Sequence, residues 1–195
     1  MALVLGLGNP GERYARTRHN VGWRVLERLV ARWGAAPAER SPLYRAWRAE
    51  PAGRAVDLVV PSTFMNLTGE ALGAWRERHG LEPERLLVVV DDVYLPVGAL
   101  RLRVRGSSGG HRGLDSVERA LGGRDYARLR IGVGAAANPV ELREHVLDMF
   151  TSEEEAVVAE TVGLAADAVE CWVTDGILAA MNRFNRKVRK EESTS

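Results

Sequence analysis

The chain has 195 residues, 46% of them apolar and 27% charged, with a formal net charge of +1. This length suffices for one domain with a full core, and the near-neutral balance excludes a partner chosen by bulk charge: the 27 basic residues serve a nucleic acid only if gathered on one face. The single cysteine, Cys171, excludes an internal disulfide. Met1 to Leu7 lacks the basic start and length of a secretion signal, and charges interrupt every apolar run, so a cytoplasmic protein without a membrane association is expected. His19, His79, His111 and His145 show no paired-ligand spacing, and neither a metal nor another cofactor is expected. Lys187 and Lys190 are the only lysines, so nearly every cation is an arginine.

In chain order, Ala2 to Leu7 reads as a short buried strand, followed by the turn Gly6-Leu7-Gly8-Asn9-Pro10-Gly11. Val21, Val25, Leu26, Leu29 and Val30 form an apolar stripe, predicting a helix over Val21 to Trp33. Leu43 to Glu50 and Ala55 to Val60 flank Pro51-Ala52-Gly53-Arg54 and read as a hairpin with an internal second arm. A helix is predicted from Thr63 to His79, stopped by Gly80. Leu86 to Val90, ending in Asp91-Asp92, has the continuous apolarity of a central strand. Leu100 to Arg105 alternates apolar and arginine residues as a strand with one wet face, and Gly106 to Gly110 follows as a mobile loop. Then come a helix over Gly113 to Leu121, a strand over Leu129 to Gly134, and helices over Val140 to Leu147, Glu153 to Val173 and Gly176 to Phe184. The pattern predicts an α/β fold: a single-domain, mixed, twisted sheet with helices on both sides, spanning residues 1–188, and a frayed tail over 189–195.

Three motifs invite chemistry. Gly6 to Gly11 fits the dinucleotide fingerprint, but the hairpin breaks the βαβ pattern and Pro10 removes an amide where a pyrophosphate needs one. Gly106-Ser107-Ser108-Gly109-Gly110 fits a nucleophile elbow, yet the strand before it is half polar and the run reads better as a surface loop. His19 stands near asparagines Asn9, Asn20 and Asn66, whose amides suit peptide groups, and Asp91 closes a central strand where it can meet the histidine. A carboxylate on one ring nitrogen fixes the tautomer and makes the other a base for water. Arg101, Arg103 and Arg105 share a strand face in steps of about 6 to 7 Å, a spacing able to follow a phosphate backbone, with Arg112, Arg124, Arg128 and Arg130 near in sequence.

Taken together, the residues resemble the bacterial peptidyl-tRNA hydrolase family over nearly the whole chain. The resemblance is carried by Gly8-Asn9-Pro10-Gly11 with Tyr14 and Thr17-Arg18-His19-Asn20, by Pro61 to Gly69, by Asp91-Asp92 with Leu95-Pro96 and Gly98, by Gly109 to Leu114, and by Arg128 to Gly134. Trp172 to Gly176 and Asn182 to Asn185 are similar to the family's closing helices. The resemblance implies hydrolysis of the ester between a peptide and the 3′ end of tRNA, by a monomer without cofactor. It implies His19 as the general base and Asp91 as its stabilising acid. Asn9 then reads the blocked peptide amine, Asn66 and its neighbour Met65 bind substrate, and Tyr14 and Phe64 contact the tRNA end. Arg112, at a position where the family usually has asparagine, is expected to touch substrate. Arg101, Arg103, Arg105 and Arg130 are expected to meet phosphates of the acceptor stem. Tyr94 and Ala135-Ala136-Ala137 also depart from the family pattern, which has an acidic residue at the first place and a basic residue and proline at the second. Two rival readings stay open: a serine esterase acting through Ser108, and an RNA-binding module that has lost its chemistry.

Overall fold

The computed structural model describes residues 1–136, 138 and 140–185. The expected tail over 189–195, the two lysines and Ala137 lie outside the described residues. Strand β1 (Ala2–Gly6) is apolar throughout and sits mid-sheet, paired in parallel with β4 (Val56–Pro61) and β5 (Leu86–Asp92). Strand β7 (Ala127–Gly132) continues the parallel set beyond β5. Antiparallel strands close both margins: β3 (Tyr44–Ala49) and β2 (Ala36–Arg40) outside β4, and β6 (Leu100–Arg103) outside β7. Among the described residues the order β2-β3-β4-β1-β5-β7-β6 makes one seven-stranded sheet, mixed as the sequence predicts but with one strand more.

Helices cover both faces. α1 (Val21–Trp33), α5 (Ser152–Asp175) and α6 (Ile177–Phe184) contribute Val25, Leu29, Ala165, Val169 and Ala180 to a core shared with Val4, Val89 and Leu129. On the other face α2 (Thr68–His79) and α3 (Arg112–Leu121) bury Leu72, Trp75, Leu114 and Val117 against Leu3, Leu5 and Val88. Each such fully buried Leu or Val contributes roughly 1.5–3 kcal/mol from removal of apolar surface from water. The short α4 (Leu142–Leu147) packs beside the turn Arg18–Asn20 that leads into α1.

Connections run from β1 toward β4 on one side and from β4 across to β5 on the other, so the order reverses at β1. In open α/β sheets that reversal leaves a crevice at the carboxyl ends of the strands. Gly22 brings α1 close enough to use it: a Cβ there would lie 2.5 Å from the Val89 carbonyl and 2.7 Å from that of Leu7. The Arg18–Asn20 turn is thereby set over the end of β5.

Beyond shifts of one or two residues, as in β7, expected over Leu129 to Gly134 and found at Ala127–Gly132, three elements differ from the sequence expectation. Strand β2, Ala36-Pro37-Ala38-Glu39-Arg40, has no apolar alternation and is largely exposed; it exists as an edge by pairing with β3, with an irregularity between Pro37 and Glu39. α2 starts at Thr68 rather than Thr63, because Met65–Leu67 forms a 3₁₀ turn after an extended Phe64. β6 ends at Arg103, so Arg105 lies beyond the strand instead of sharing its face with Arg101 and Arg103.

Candidate active site

The carboxyl ends of β1, β4 and β5 open into a cleft of about 570 Å³. It brings together Asn9, Tyr14, His19, Phe64, Met65, Asn66, Asp91, Arg112 and Arg130, while Arg101, Arg103 and Arg105 do not line it. Arg101 and Arg103 are exposed on one side of β6, with Leu102 buried on the other.

Asp91, next to last in β5, has only 2% of its surface exposed. His19 Nδ1 lies 2.9 Å from both carboxylate oxygens, and His111 Nε2 lies 2.9 Å from Oδ1. His111 is the N-cap residue of α3, and its Nδ1 accepts from the Gly113 and Leu114 amides at 3.1 and 3.3 Å. A nitrogen that accepts two N–H groups must keep its lone pair, so the proton of a neutral His111 sits on Nε2 and is donated to Asp91. Burial opposes ionisation of Asp91, but the charges and hydrogen bonds of His19 and His111 outweigh it and hold the carboxyl well below the usual range. A carboxylate here fixes His19 as the tautomer that donates from Nδ1, leaving Nε2 as the acceptor. The His19 side chain is 13% exposed and lines the cleft.

His19 is held in place through its neighbours. Arg18, buried, grips Glu154 with two hydrogen bonds of 3.0 and 2.7 Å and donates to the Val133 carbonyl at 3.0 Å. Glu154 belongs to the capping box that starts α5, so the approach to His19 is tied to a helix end and to the segment after β7. The side-chain bond from Arg18 is the leading cause that lowers the Glu154 pKa.

Asn20 holds the turn after β1. It accepts from the Asn9 amide and donates to the Asn9 carbonyl, both at 2.9 Å. Gly11, at φ 106°, lets the chain leave that turn in a conformation that L side chains rarely adopt. The Asn9 side chain is then oriented by the Met65 amide, which donates to Oδ1 at 2.8 Å. That bond commits Asn9 Oδ1 as acceptor, so its Nδ2 is a donor without a protein partner among the described residues. Tyr14 and Phe64 meet edge to face at 6.5 Å on the cleft wall.

Against known proteins, the sequence profile of a family described as Peptidyl-tRNA hydrolase matches residues 3–193. The chain is 47% identical over 186 residues to a peptidyl-tRNA hydrolase of Chloroflexus aggregans, covering 95% of this chain and 99% of that protein. It is 45% identical over 193 residues to one of Roseiflexus castenholzii, covering 98% and 90%. The crystal structure of a peptidyl-tRNA hydrolase from Acinetobacter baumannii superposes with a TM-score of 0.90 at 32% identity, covering 95% of this chain and 94% of that one. The chain belongs to the peptidyl-tRNA hydrolase family.

Two features of this peptidyl-tRNA hydrolase family member differ from what its sequence suggests. The glycines and serines of Gly106–Gly110 predict a mobile loop, but its carbonyls are anchored: Arg130 donates to Ser107 at 2.7 Å and Ser108 at 3.3 Å, and buried Arg128 also donates to Ser107. Arg130 further bonds Asp92 at 3.1 Å. Its guanidinium is therefore a brace of the cleft wall, its charge already matched by Asp92. Ser108 lies in the cleft with its hydroxyl accepting from the Gly110 amide at 3.2 Å, and no histidine is hydrogen-bonded to that hydroxyl among the described residues.

His111 is the site residue that sequence reading passes over. Its sequence signal is position alone, directly before the expected helix over Gly113 to Leu121, since histidine is not a favoured cap residue. His19, Asp91 and His111 also place three potential metal-ligand atoms within 4.8 Å of one another. The donor set does not fit a resident ion. His111 Nδ1 is occupied by the Gly113 and Leu114 amides and its Nε2–H is donated to Asp91, so a metal on Nε2 would require His111 to lose its one ring proton and become an imidazolate.

Among the described residues no helix is long and apolar enough to cross a membrane.

Proposed function

We propose that this chain hydrolyses the ester joining a peptide to the 3′ end of tRNA, with His19 activating water, and that it acts as a cytoplasmic monomer without a cofactor. The observation that carries the reading is the hydrogen bonding of His19: Asp91, itself oriented by His111, accepts from Nδ1–H and leaves Nε2 of the cleft-lining imidazole as the base. Water attacks the ester carbonyl as Nε2 accepts its proton. The tetrahedral intermediate then collapses, the ribose oxygen leaves with the proton from Nε2, and the peptide departs as a carboxylic acid that loses its proton to solvent. A ribose leaving group makes a positioned water and one base sufficient.

Asn9 supplies selectivity by its polarity. With Oδ1 taken by the Met65 amide, Nδ2 presents a donor that suits the carbonyl of an acylated amine. A free α-ammonium has only donors to offer, so an aminoacyl ester meets a mismatch there. Asn66, exposed at the cleft, donates to the same peptide groups, and Tyr14 with Phe64 forms a surface for the terminal base. Arg112 touches substrate from the first turn of α3, and Arg101, Arg103 and Arg105 meet the acceptor stem.

The test is cleavage of N-blocked aminoacyl-tRNA and its unblocked counterpart by wild type, His19→Ala and Ser108→Ala. Selective cleavage of the blocked substrate is expected, with a loss of about 10²–10⁴-fold in His19→Ala and none in Ser108→Ala. Equal cleavage of both substrates, or loss in the serine variant alone, overturns the reading.

A further inference from the structure

Four arginines line the cleft: Arg13, Arg112, Arg130 and Arg143. Arg130 is matched by Asp92. The other three have no acidic partner within ion-pair distance among the described residues, and they come from three separate segments. Arg13 lies in the 3₁₀ turn Glu12–Tyr14 with its guanidinium 4.5 Å from the Tyr14 ring centre. Arg112 is the first residue of α3, directly after the histidine that orients Asp91, and a cation at that end is opposed by the helix dipole. Arg143 belongs to α4 across the cleft.

The acids of the cleft cannot neutralise this group. Asp91 is enclosed by two histidines and Asp92 is held by Arg130 and the Tyr94 amide. Much of the remaining wall, including Phe64, Met65, Leu142 and Val146, is apolar and suits peptide side chains. Three unmatched guanidinium groups around one mouth therefore select anions, and a guanidinium pairs with phosphate through two parallel hydrogen bonds.

We infer that Arg13, Arg112 and Arg143 clamp the phosphodiester groups next to the scissile ester, so that phosphates of the tRNA 3′ end, and not only its terminal base, determine turnover. The inference rests on the peptidyl-tRNA reading above and deepens it: it assigns this chain an anion subsite inside the cleft, separate from the arginines of β6.

The experiment compares an N-acetylalanyl ester of adenosine, which lacks phosphate, with the same ester on a CCA trinucleotide. Wild type is expected to favour the trinucleotide in kcat/KM. Single Arg→Gln variants at 13, 112 and 143 each reduce that preference by about threefold to tenfold, and a triple variant removes most of it. Thermal unfolding monitors the fold, and the single variants suffice if the triple variant is unstable. Retention of the wild-type preference in all variants overturns the clamp and leaves the hydrolase reading standing. Wild-type inertness toward both esters and toward N-blocked aminoacyl-tRNA overturns the hydrolase reading and the clamp with it. N-acetylglutamyl esters form a third arm: a preference for the acidic acyl group that disappears with the arginines, while the trinucleotide preference persists, assigns them to peptide carboxylates and also overturns the clamp.

Discussion

Substituting Asp91 by asparagine tests the hydrogen-bond logic of the site with almost no change in shape. In the wild type the carboxylate accepts from two donors, His19 Nδ1–H and His111 Nε2–H, at 2.9 Å. A carboxamide has one acceptor oxygen and one amino group. His111 cannot adapt, because its Nδ1 is bound as acceptor by the Gly113 and Leu114 amides, so it claims the oxygen. The amino group is then left facing His19 Nδ1, which must become an acceptor, and the His19 proton moves to Nε2. The imidazole stays in place with the wrong nitrogen toward the cleft. The expected loss in kcat for Asp91→Asn is the full general-base contribution, about 10²–10⁴-fold. The stability cost is smaller, about 1–3 kcal/mol, since charge-assisted bonds become neutral ones without leaving an orphan. Initial rates on N-blocked aminoacyl-tRNA, beside thermal unfolding, separate the two effects; a folded variant with kcat within about threefold of wild type refutes the tautomer argument. The same variant tests linkage. Because the folded carboxyl titrates below its reference value of 3.8, it adds stability above that pH, and this is lost as pH falls toward its folded pKa. Asp91→Asn is therefore expected to lose less stability than wild type below about pH 4.

Removing the Asn9 amide by Asn9→Ala leaves the Met65 N–H buried without its acceptor, a cost of about 1–3 kcal/mol, and should narrow discrimination between blocked and free aminoacyl-tRNA; unchanged discrimination would remove Asn9 from substrate reading. Gly22→Ala drives a Cβ to 2.5 Å from the Val89 carbonyl, so a loss of about 1–3 kcal/mol is expected in thermal or urea unfolding, with activity falling as α1 shifts His19 away from β5. Neutralising Arg101 and Arg103 together should weaken tRNA binding and flatten its salt dependence, by a slope of about 0.7–0.9 for each phosphate no longer neutralised; an unchanged slope places both side chains outside the interface.

What the sequence makes legible follows from where the physics is local. The stripe Val21, Val25, Leu26, Leu29 sets α1 at its observed bounds, and the unbroken apolarity of Leu86–Val90 marks a strand buried on both faces, because burial and period act within a few residues. Strand β2 escapes such reading since Pro37 and Glu39 carry no pattern of this kind; only the neighbour β3, four residues on, makes them a strand. The start of α2 is displaced from its sequence expectation because Phe64 is extended and Met65–Leu67 forms a 3₁₀ turn, whose Met65 amide meets the Asn9 carboxamide, a partner 56 residues away that no local pattern reveals. Arginines divide likewise. Alternation correctly exposes Arg101 and Arg103, yet equal alternation in β7 cannot reveal that Arg130 faces Asp92 and the carbonyls of Ser107 and Ser108, because that depends on β7 lying between β5 and β6. His111 gives the sharpest case. A base with a carboxylate can be read from His19 and Asp91, but the union of that pair with His111 depends on α3 starting beside the end of β5. Once joined, the helix amides determine which His111 nitrogen carries hydrogen, and through Asp91 they determine which His19 nitrogen is left as the base.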